Sequence, residues 1–296
     1  MRVFLTGATG FVGSAVTREL INAGHQVLGL TRSDKGAETL KAAGAEPHHG
    51  TLEDLDSLRH GAATTDGTIH CGFVHDFSNF AKSCEIDRVA IETIGTALAG
   101  SDRPFLNTSG LAGLPPERLS TEEDAVALDA FPRAQAEALT LAFAARNVRA
   151  GIVRLSPSVH GVGDHGFVPM IIGVAREKSV SAYIGDGANR WPGVHRLDAA
   201  RLYRLALEKG PAGTRYHGVA DEGVPTREIA EVIGRRLKLP VRSISAEEAK
   251  THFGWMALFF GMDLAASSAL TRERLGWHPT EPGLLADIDQ DAYFTA

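Results

Sequence analysis

A glycine-rich turn within the first thirteen residues constrains this chain more than any other feature. They read Met-Arg-Val-Phe-Leu-Thr-Gly-Ala-Thr-Gly-Phe-Val-Gly, an apolar run followed by glycines at every third position. Residues 2–6 predict a buried strand, and residues 14–23 predict a helix. Gly7 allows a tight reversal, Gly10 lets the backbone approach a pyrophosphate, and Gly13 lets the strand and helix pack closely.

The order of strand, glycines and helix predicts a dinucleotide-binding turn. Backbone N–H groups at the start of the helix would face the phosphate charge. The alternative is a glycine-rich turn that binds no ligand. The residues expected to contact the cofactor here are Gly7, Thr9, Gly10, Phe11, Val12 and Gly13.

The end of the second predicted strand bears on which dinucleotide binds. Residues 26–30 form this strand, and Arg32 follows nineteen residues after Gly13, where such folds meet the adenosine ribose. An acidic residue there favours the 2′-hydroxyl of NAD, whereas arginine accommodates the 2′-phosphate of NADP. Arg32, with Ser33 as a second donor, therefore predicts that NADP(H) is favoured over NAD(H). An exposed loop arginine without a ligand is the alternative.

Strands and helices alternate over residues 1–155, with further strands predicted at 46–49, 66–72, 103–107 and 148–155. This alternation requires a parallel sheet with right-handed crossovers, the α/β doubly wound class. Ligands of such sheets bind at the carboxyl ends of the strands. The residues that follow strands or open helices at that edge are Thr51, Leu52, Cys71, Gly72, Phe73, Thr108 and Ser109. Cys71 is interpreted as a packing residue, because no neighbour is placed to form its thiolate.

The second half of the chain is less regular. Residues 156–166 form a glycine-rich loop that is too long for a simple connection, which predicts a functional role. Helices are predicted at 167–178, 198–209 and 226–237, the second of them N-capped by Asp198. Ser245 and Glu248 have the spacing of a capping box.

Composition limits the class of protein and its partners. The chain has 296 residues, a net charge of -6 and no basic run, which argues against a nucleic-acid partner. Its two cysteines, Cys71 and Cys84, form no disulfide framework and indicate a reducing compartment. No apolar run reaches the roughly 18 residues of a membrane span, and the chain starts directly with a strand, not with a signal peptide. We expect a cytoplasmic protein that acts on a small molecule.

Several motifs resemble the extended or atypical short-chain dehydrogenase/reductase superfamily, of the NAD-dependent epimerase/dehydratase type. They occupy residues 6–13, 108–110, 154–161, 194–200 and 275–277. The resemblance implies a Rossmann domain of residues 1–155 with a returning segment at about 192–220. It further implies a smaller substrate domain built from the interleaved segments 156–191 and 221–296. In the family the loop at 156–161 lies beside the nicotinamide, which implies cofactor contacts from Pro157 and Ser158.

The family's catalytic signature, Tyr-x-x-x-Lys, has no counterpart here. In the family the tyrosine exchanges a proton with the substrate, while the lysine lowers the pKa of that tyrosine and binds the ribose. This sequence has four tyrosines, and none is followed by lysine four residues later. The corresponding stretch runs from Phe131 to Gln135. Phe131 has no exchangeable proton and would line the substrate pocket, and Gln135 could bond the ribose without supplying charge.

Other side chains could replace the missing tyrosine. Ser109 or Thr108 could polarise a carbonyl, or both could simply be turn residues at a strand end. His160, His165 and His195 lie in segments that the family uses around its substrate, and imidazoles suit acid catalysis near neutral pH. Each histidine could instead be structural.

Trp191 and several pairs of neighbouring histidines are further candidates for the site. Trp191 could form a wall against a ring-shaped substrate, with core packing as the alternative. Pairs of neighbouring histidines lack the carboxylate or cysteine that would complete a metal site, so we expect no metal.

Three functions are compatible with these observations. The favoured one is an NADPH-dependent reductase of a small carbonyl compound, or of an imine, which when protonated needs no catalytic acid. The second is a sugar-nucleotide epimerase or dehydratase, and the third is a non-catalytic NADP(H)-binding sensor or scaffold. By analogy with the family, the helices flanking the fifth strand could form a homodimer face.

Overall fold

A seven-stranded parallel sheet forms the centre of the molecule, a computed structural model in which residues 1–76, 79–116, 118–129 and 131–295 are described. Its strands are β1 (Arg2–Thr6), β2 (Gln26–Thr31), β3 (Glu46–His49), β4 (Gly67–His70), β5 (Pro104–Gly110), β6 (Arg149–Leu155) and β10 (Thr214–Gly218). They lie in the order β10-β6-β5-β4-β1-β2-β3, and every pairing is parallel. The predicted doubly wound α/β fold is confirmed. The strand order reverses between β1 and β4, which opens a crevice at their carboxyl ends.

Helices cover both faces of this sheet. They are α1 (Phe11–Asn22), α2 (Asp34–Ala42), α3 (Leu55–Ala63), α4 (Phe80–Leu98), α5 (Ala134–Ala142) and α7 (Arg196–Lys209). Side chains of a strand alternate between faces, so Val3 and Leu5 pack with α1 and α7, whereas Phe4 packs with α3 and α4. The sheet is therefore buried on both sides, as parallel sheets require.

A second apolar core is built from the later part of the chain. Its helices are α6 (Phe167–Lys178), α8 (Thr226–Leu237), α9 (Ala246–Phe253), α10 (Met256–Phe260) and α12 (Leu284–Ile288). Two small sheets accompany them, formed by β7 (Ser158–His160), β9 (Arg190–His195) and β11 (Asp221–Pro225), and by β8 (Ser181–Ile184) with β12 (Val241–Ile244). Helix α11 (Ala269–Leu275) leads back to the large sheet, where Leu275 and Trp277 pack in the first core.

Two predicted helix caps have different outcomes. The capping box is confirmed: Ser245 accepts a hydrogen bond from the backbone of Glu248 at 3.1 Å, and the Glu248 carboxylate accepts one from the backbone of Ser245 at 2.8 Å. The prediction that Asp198 caps α7 is wrong, because the helix begins at Arg196 and His195 is its cap. The buried Asp198 carboxylate instead accepts hydrogen bonds from the backbone N–H groups of Thr280 and Glu281.

Candidate active site

A groove of about 1330 Å³ runs along the carboxyl ends of the central strands. Its walls come from the segments after β1, β2, β4, β5 and β6 and from α6 and α10. Most of the residues predicted for the cofactor and substrate line it together. They are Gly7, Thr9, Gly10, Phe11, Val12, Gly13, Arg32, Ser33, Thr51, Leu52, Cys71, Gly72, Phe73, Thr108, Ser109, Phe131, Pro157 and Ser158.

The glycine turn forms a cradle that side chains would fill. Gly7 has φ +68°, and a Cβ on Gly13 would lie 2.0 Å from the carbonyl oxygen of Gly7. Helix α1 begins at Phe11, and no side chain caps its first turn. Its N-terminal N–H groups are therefore directed at the groove, in the arrangement that binds pyrophosphate in dinucleotide folds.

Arg32 and Ser33 lie at the end of the groove after β2. Both are exposed, and the Ser33 hydroxyl accepts a hydrogen bond from the backbone of Gly36 at 3.2 Å, which caps α2. Among the residues that the structure describes, none forms an ion pair or hydrogen bond with the Arg32 side chain. Its charge is thus available to an anionic group at this end of the groove.

The two hydroxyls at the end of β5 differ in their bonding. Thr108 Oγ1 donates to the carbonyl of His70 at 2.7 Å and accepts from the Tyr203 hydroxyl at 2.6 Å. Burial raises the pKa of Tyr203 well above its ordinary value and the pKa of the Cys71 thiol to about 11. Thr108, Tyr203 and Cys71 are therefore neutral groups of the groove floor. Ser109, 8% exposed, also lines the groove and has the hydroxyl that no described side chain or backbone group engages.

Arg133 supplies the positive charge at this strand end, and sequence reasoning missed it. Its guanidinium stacks on the Phe73 ring, 4.4 Å from the ring centroid, and Nη2 donates to the carbonyl of Thr108 at 2.7 Å. The same nitrogen lies 3.5 Å from Oδ2 of Asp87, which is fully buried on α4. A single arginine just before a helix carries no pattern that marks it, and only the fold brings it to the end of β5.

A chain of hydrogen bonds connects Asp87 to the ends of β4 and β1. Asp87 Oδ1 lies 3.1 Å from His70 Nε2, and His70 Nδ1 lies 2.7 Å from Thr6 Oγ1, which accepts from the backbone of Gly72 at 3.0 Å. In the consistent hydrogen-bond assignment, His70 donates from Nε2 to Asp87 and accepts at Nδ1 from Thr6. Arg133 is then the cation that balances a buried carboxylate.

Three further titratable residues line the groove: His75, Asp164 and His165. Burial together with the Arg133 charge lowers the pKa of His75. Burial also raises the pKa of Asp164 to about 6, although the carboxylate accepts a hydrogen bond from the backbone of Gly166 at 2.7 Å. Asp164 and His165 lie in the loop that was predicted to be functional; His75 and Asp164 were not identified from the sequence.

Four predicted site residues lie elsewhere. His160 is fully buried with Nδ1 2.9 Å from Asp287 Oδ2, and His195 caps α7. Trp191 is 1% exposed in the second core, where its Nε1 donates to the carbonyl of Phe259. Gln135 is exposed beside α4, in a separate depression. These positions differ from the sequence expectation because β7, β9 and α5 direct the four side chains into cores or onto the outer surface.

Within the described residues, no group of three or more histidine, cysteine, aspartate or glutamate side chains is arranged to hold a metal ion. The helices that the structure describes also include none that is both long and apolar enough to cross a bilayer.

The reversed strand order, the glycine cradle and the groove at the strand ends define a dinucleotide-binding protein of the doubly wound α/β class. Residues 3–217 match the model of the NAD dependent epimerase/dehydratase family. The chain therefore belongs to that family, and the resemblance found in its motifs is confirmed.

Known relatives of this chain include reductases. An uncharacterized protein of Schizosaccharomyces pombe is 54% identical over 295 residues, which cover 99% of this chain and 100% of the relative. A 2-alkyl-3-oxoalkanoate reductase of Stenotrophomonas maltophilia is 30% identical over 247 residues, which cover 77% of this chain and 73% of the relative.

Solved structures share the fold. A dTDP-glucose 4,6-dehydratase of Streptomyces venezuelae with NAD and TYD bound matches with a TM-score of 0.79 at 18% identity. The match covers 99% of this chain and 97% of that one.

Proposed function

We propose that this protein is an NADPH-dependent reductase of a small carbonyl compound. The observation that carries the proposal is the continuous groove, which leads from the glycine cradle to the Ser109 hydroxyl and the Arg133 guanidinium, both of which line it at the end of β5. A carbonyl oxygen placed there would meet Ser109 and Arg133. The relative named as a 2-alkyl-3-oxoalkanoate reductase supports a reductive reaction.

The residues present suit a nicotinamide dinucleotide. Gly10 and the first turn of α1 would hold its pyrophosphate, and Thr51 with Leu52 would border the adenine. The free charge of Arg32, with Ser33 beside it, favours the 2′-phosphate of NADP. Pro157 and Ser158 would lie along the nicotinamide. When bound, the reduced cofactor supplies a hydride.

In this reaction the protein must stabilise negative charge on the carbonyl oxygen and supply a proton to it. Reduction adds a hydride to the carbonyl carbon and a proton to its oxygen. The Ser109 hydroxyl donates a hydrogen bond to that oxygen, and the Arg133 guanidinium stabilises its developing charge. Asp164, neutral below about pH 6, provides the proton. A Tyr-x-x-x-Lys pair is not needed for these steps, and a protonated imine would need only the hydride.

The test is NADPH oxidation by the purified protein with a panel of aldehydes, ketones and cyclic imines, each repeated with NADH. We expect turnover with NADPH, and a loss of kcat of about 10²- to 10³-fold in both Ser109→Ala and Arg133→Ala. Arg59→Ala, at an exposed arginine on α3, serves as the matched control and retains activity.

Other outcomes point to the other two functions. Tight NADPH binding without turnover on any carbonyl or imine would overturn the reductase proposal in favour of a sensor. Interconversion of sugar nucleotides by protein that retains its cofactor would indicate an epimerase or dehydratase.

A further inference from the structure

Aromatic rings wall the substrate end of the groove from two sides. On the sheet side, Phe80 lies between Phe73 and Phe131, with ring centroids 6.1 and 5.7 Å apart. On the side of the second core, a second set of rings comprises Phe167, Trp255 and Phe259, with centroids 5.5 to 6.1 Å apart. All six line the groove. At these separations rings contact one another and form continuous apolar surfaces.

Positive charge at this end is scarce. Of the groove-lining residues within the described parts of the chain, Arg32 and Arg133 alone are lysine or arginine. Arg32 lies at the opposite, adenosine end. Arg133 already stacks on Phe73, bonds the Thr108 carbonyl and balances Asp87. The diphosphate of a nucleotide sugar needs several cations or bidentate donors, and this end presents the carboxyl group of Asp164 instead.

We propose that the substrate is a ketone with an extended apolar substituent, which lies between the two aromatic walls while its carbonyl meets Ser109 and Arg133. This inference rests on the proposed reductase function and names its substrate class. The alkyl-bearing oxo acid in the printed name of the Stenotrophomonas maltophilia relative has the same apolar character.

A homologous series of methyl ketones, from 2-butanone to 2-decanone, tests the substrate class with NADPH as reductant. Each methylene buried between the rings should raise kcat/KM about fourfold until the walls are spanned, the factor that corresponds to burying one methylene. A flat series would overturn the inference, as would turnover of UDP-glucose or competition by it against 2-decanone.

Variants of Trp255 and Phe259, in the second set of rings, test where the apolar substituent binds. Trp255→Ala and Phe259→Ala should reduce the gain per methylene to below twofold. Leu258→Ala is the matched control, because Leu258 lies between them on α10, is 64% exposed and does not line the groove. An unchanged slope in both wall variants would contradict the proposed position of the chain.

A binding measurement separates this inference from the reductase function. Trp191 and Trp277 are 1% and 0% exposed, whereas Trp255 is 45% exposed. The fluorescence of Trp255 should therefore report the binding of a ligand in the groove. Added 2-decanol should shift tryptophan emission to the blue in the wild type and leave Trp255→Phe unchanged. If the shift occurs but no substrate causes NADPH oxidation, the inferred ligand class is supported and the proposed reductase function is overturned. If short ketones are reduced but the emission does not shift and kcat/KM does not rise with chain length, the inferred ligand class is overturned and the reductase function is supported.

Discussion

The side chains of the groove divide into those that bind and those that carry protons. Arg32 and Arg133 bring charge to its two ends, Ser109 brings a hydroxyl, and Asp164 brings an acid whose pKa burial raises to about 6. Each assignment has a consequence that one substitution can check.

Arg32→Asp should remove the preference for NADPH. A charged hydrogen bond contributes about 1.5–3 kcal/mol, so kcat/KM for NADPH should fall roughly ten- to a hundredfold, while NADH is used as well or better. Steady-state kinetics with both cofactors measures this. Lys35→Asp is the control, since Lys35 is an exposed cation on α2 that does not line the groove. Equal losses in the two variants would mean that general surface charge, and not a site for the 2′-phosphate, sets the preference.

The pH dependence of turnover should follow Asp164. A carboxyl with a pKa of about 6 holds its proton below that pH and loses it above, so kcat/KM should fall about tenfold per pH unit well above pH 6. Asp164→Asn removes the titrating proton, and its profile should be low and flat across the same range. If the variant keeps the wild-type profile, the proton comes from another group.

At the scale of secondary structure, prediction succeeded where local pattern decides and failed where tertiary contacts do. The glycine cradle, the strands of the large sheet and the box at Ser245 follow from spacing and residue type alone. The cap of α7 did not, because Asp198 accepts hydrogen bonds from backbone N–H groups 82 and 83 residues further along the chain, at Thr280 and Glu281. His195 is a predicted catalytic candidate because its segment resembles one that the family uses around its substrate. In the structure it caps α7, a role that is visible only once β9 and α7 are joined.

A buried ion cluster joins α5, β6 and β10. Glu137 is 3% exposed and accepts hydrogen bonds from Arg154 at 3.0 Å and from Arg215 at 2.8 Å. Burial would raise the pKa of Glu137, but these two cations outweigh it and the pKa lies below its ordinary value. Glu137→Gln should therefore cost about 3–5 kcal/mol, because it leaves a buried arginine without its full counter-charge.

Urea unfolding followed by circular dichroism measures that loss for Glu137→Gln. Glu85→Gln, which breaks an exposed pair with Arg88 on α4, is the control and should leave the midpoint unchanged. Equal midpoints for the two variants would mean that the cluster adds no stability.

At the scale of the whole molecule, the groove is assembled from distant parts of the chain. Residues near positions 10, 75, 109, 133, 164 and 255 line one cavity. The cofactor half could be predicted because its signals are local, and so could Phe73 and Phe131, whereas Arg133, His75 and the other four aromatic rings of the groove have no local signature. The homodimer stays a prediction. The large apolar side chains described as exposed include none on α4 or α5, so size-exclusion chromatography with light scattering is the direct test.

The pairing of Arg133 with Asp87 also limits how this protein could change its substrate over evolutionary time. Asp87 does not line the groove, yet its fully buried charge depends on Arg133. Loss of the arginine alone would leave that carboxylate buried without its cation, which destabilises a protein far more than loss of both charges. A lineage that drifted toward another chemistry at the end of β5 would first have to neutralise position 87. The earliest step toward a new activity would therefore be recorded at a position that does not line the groove.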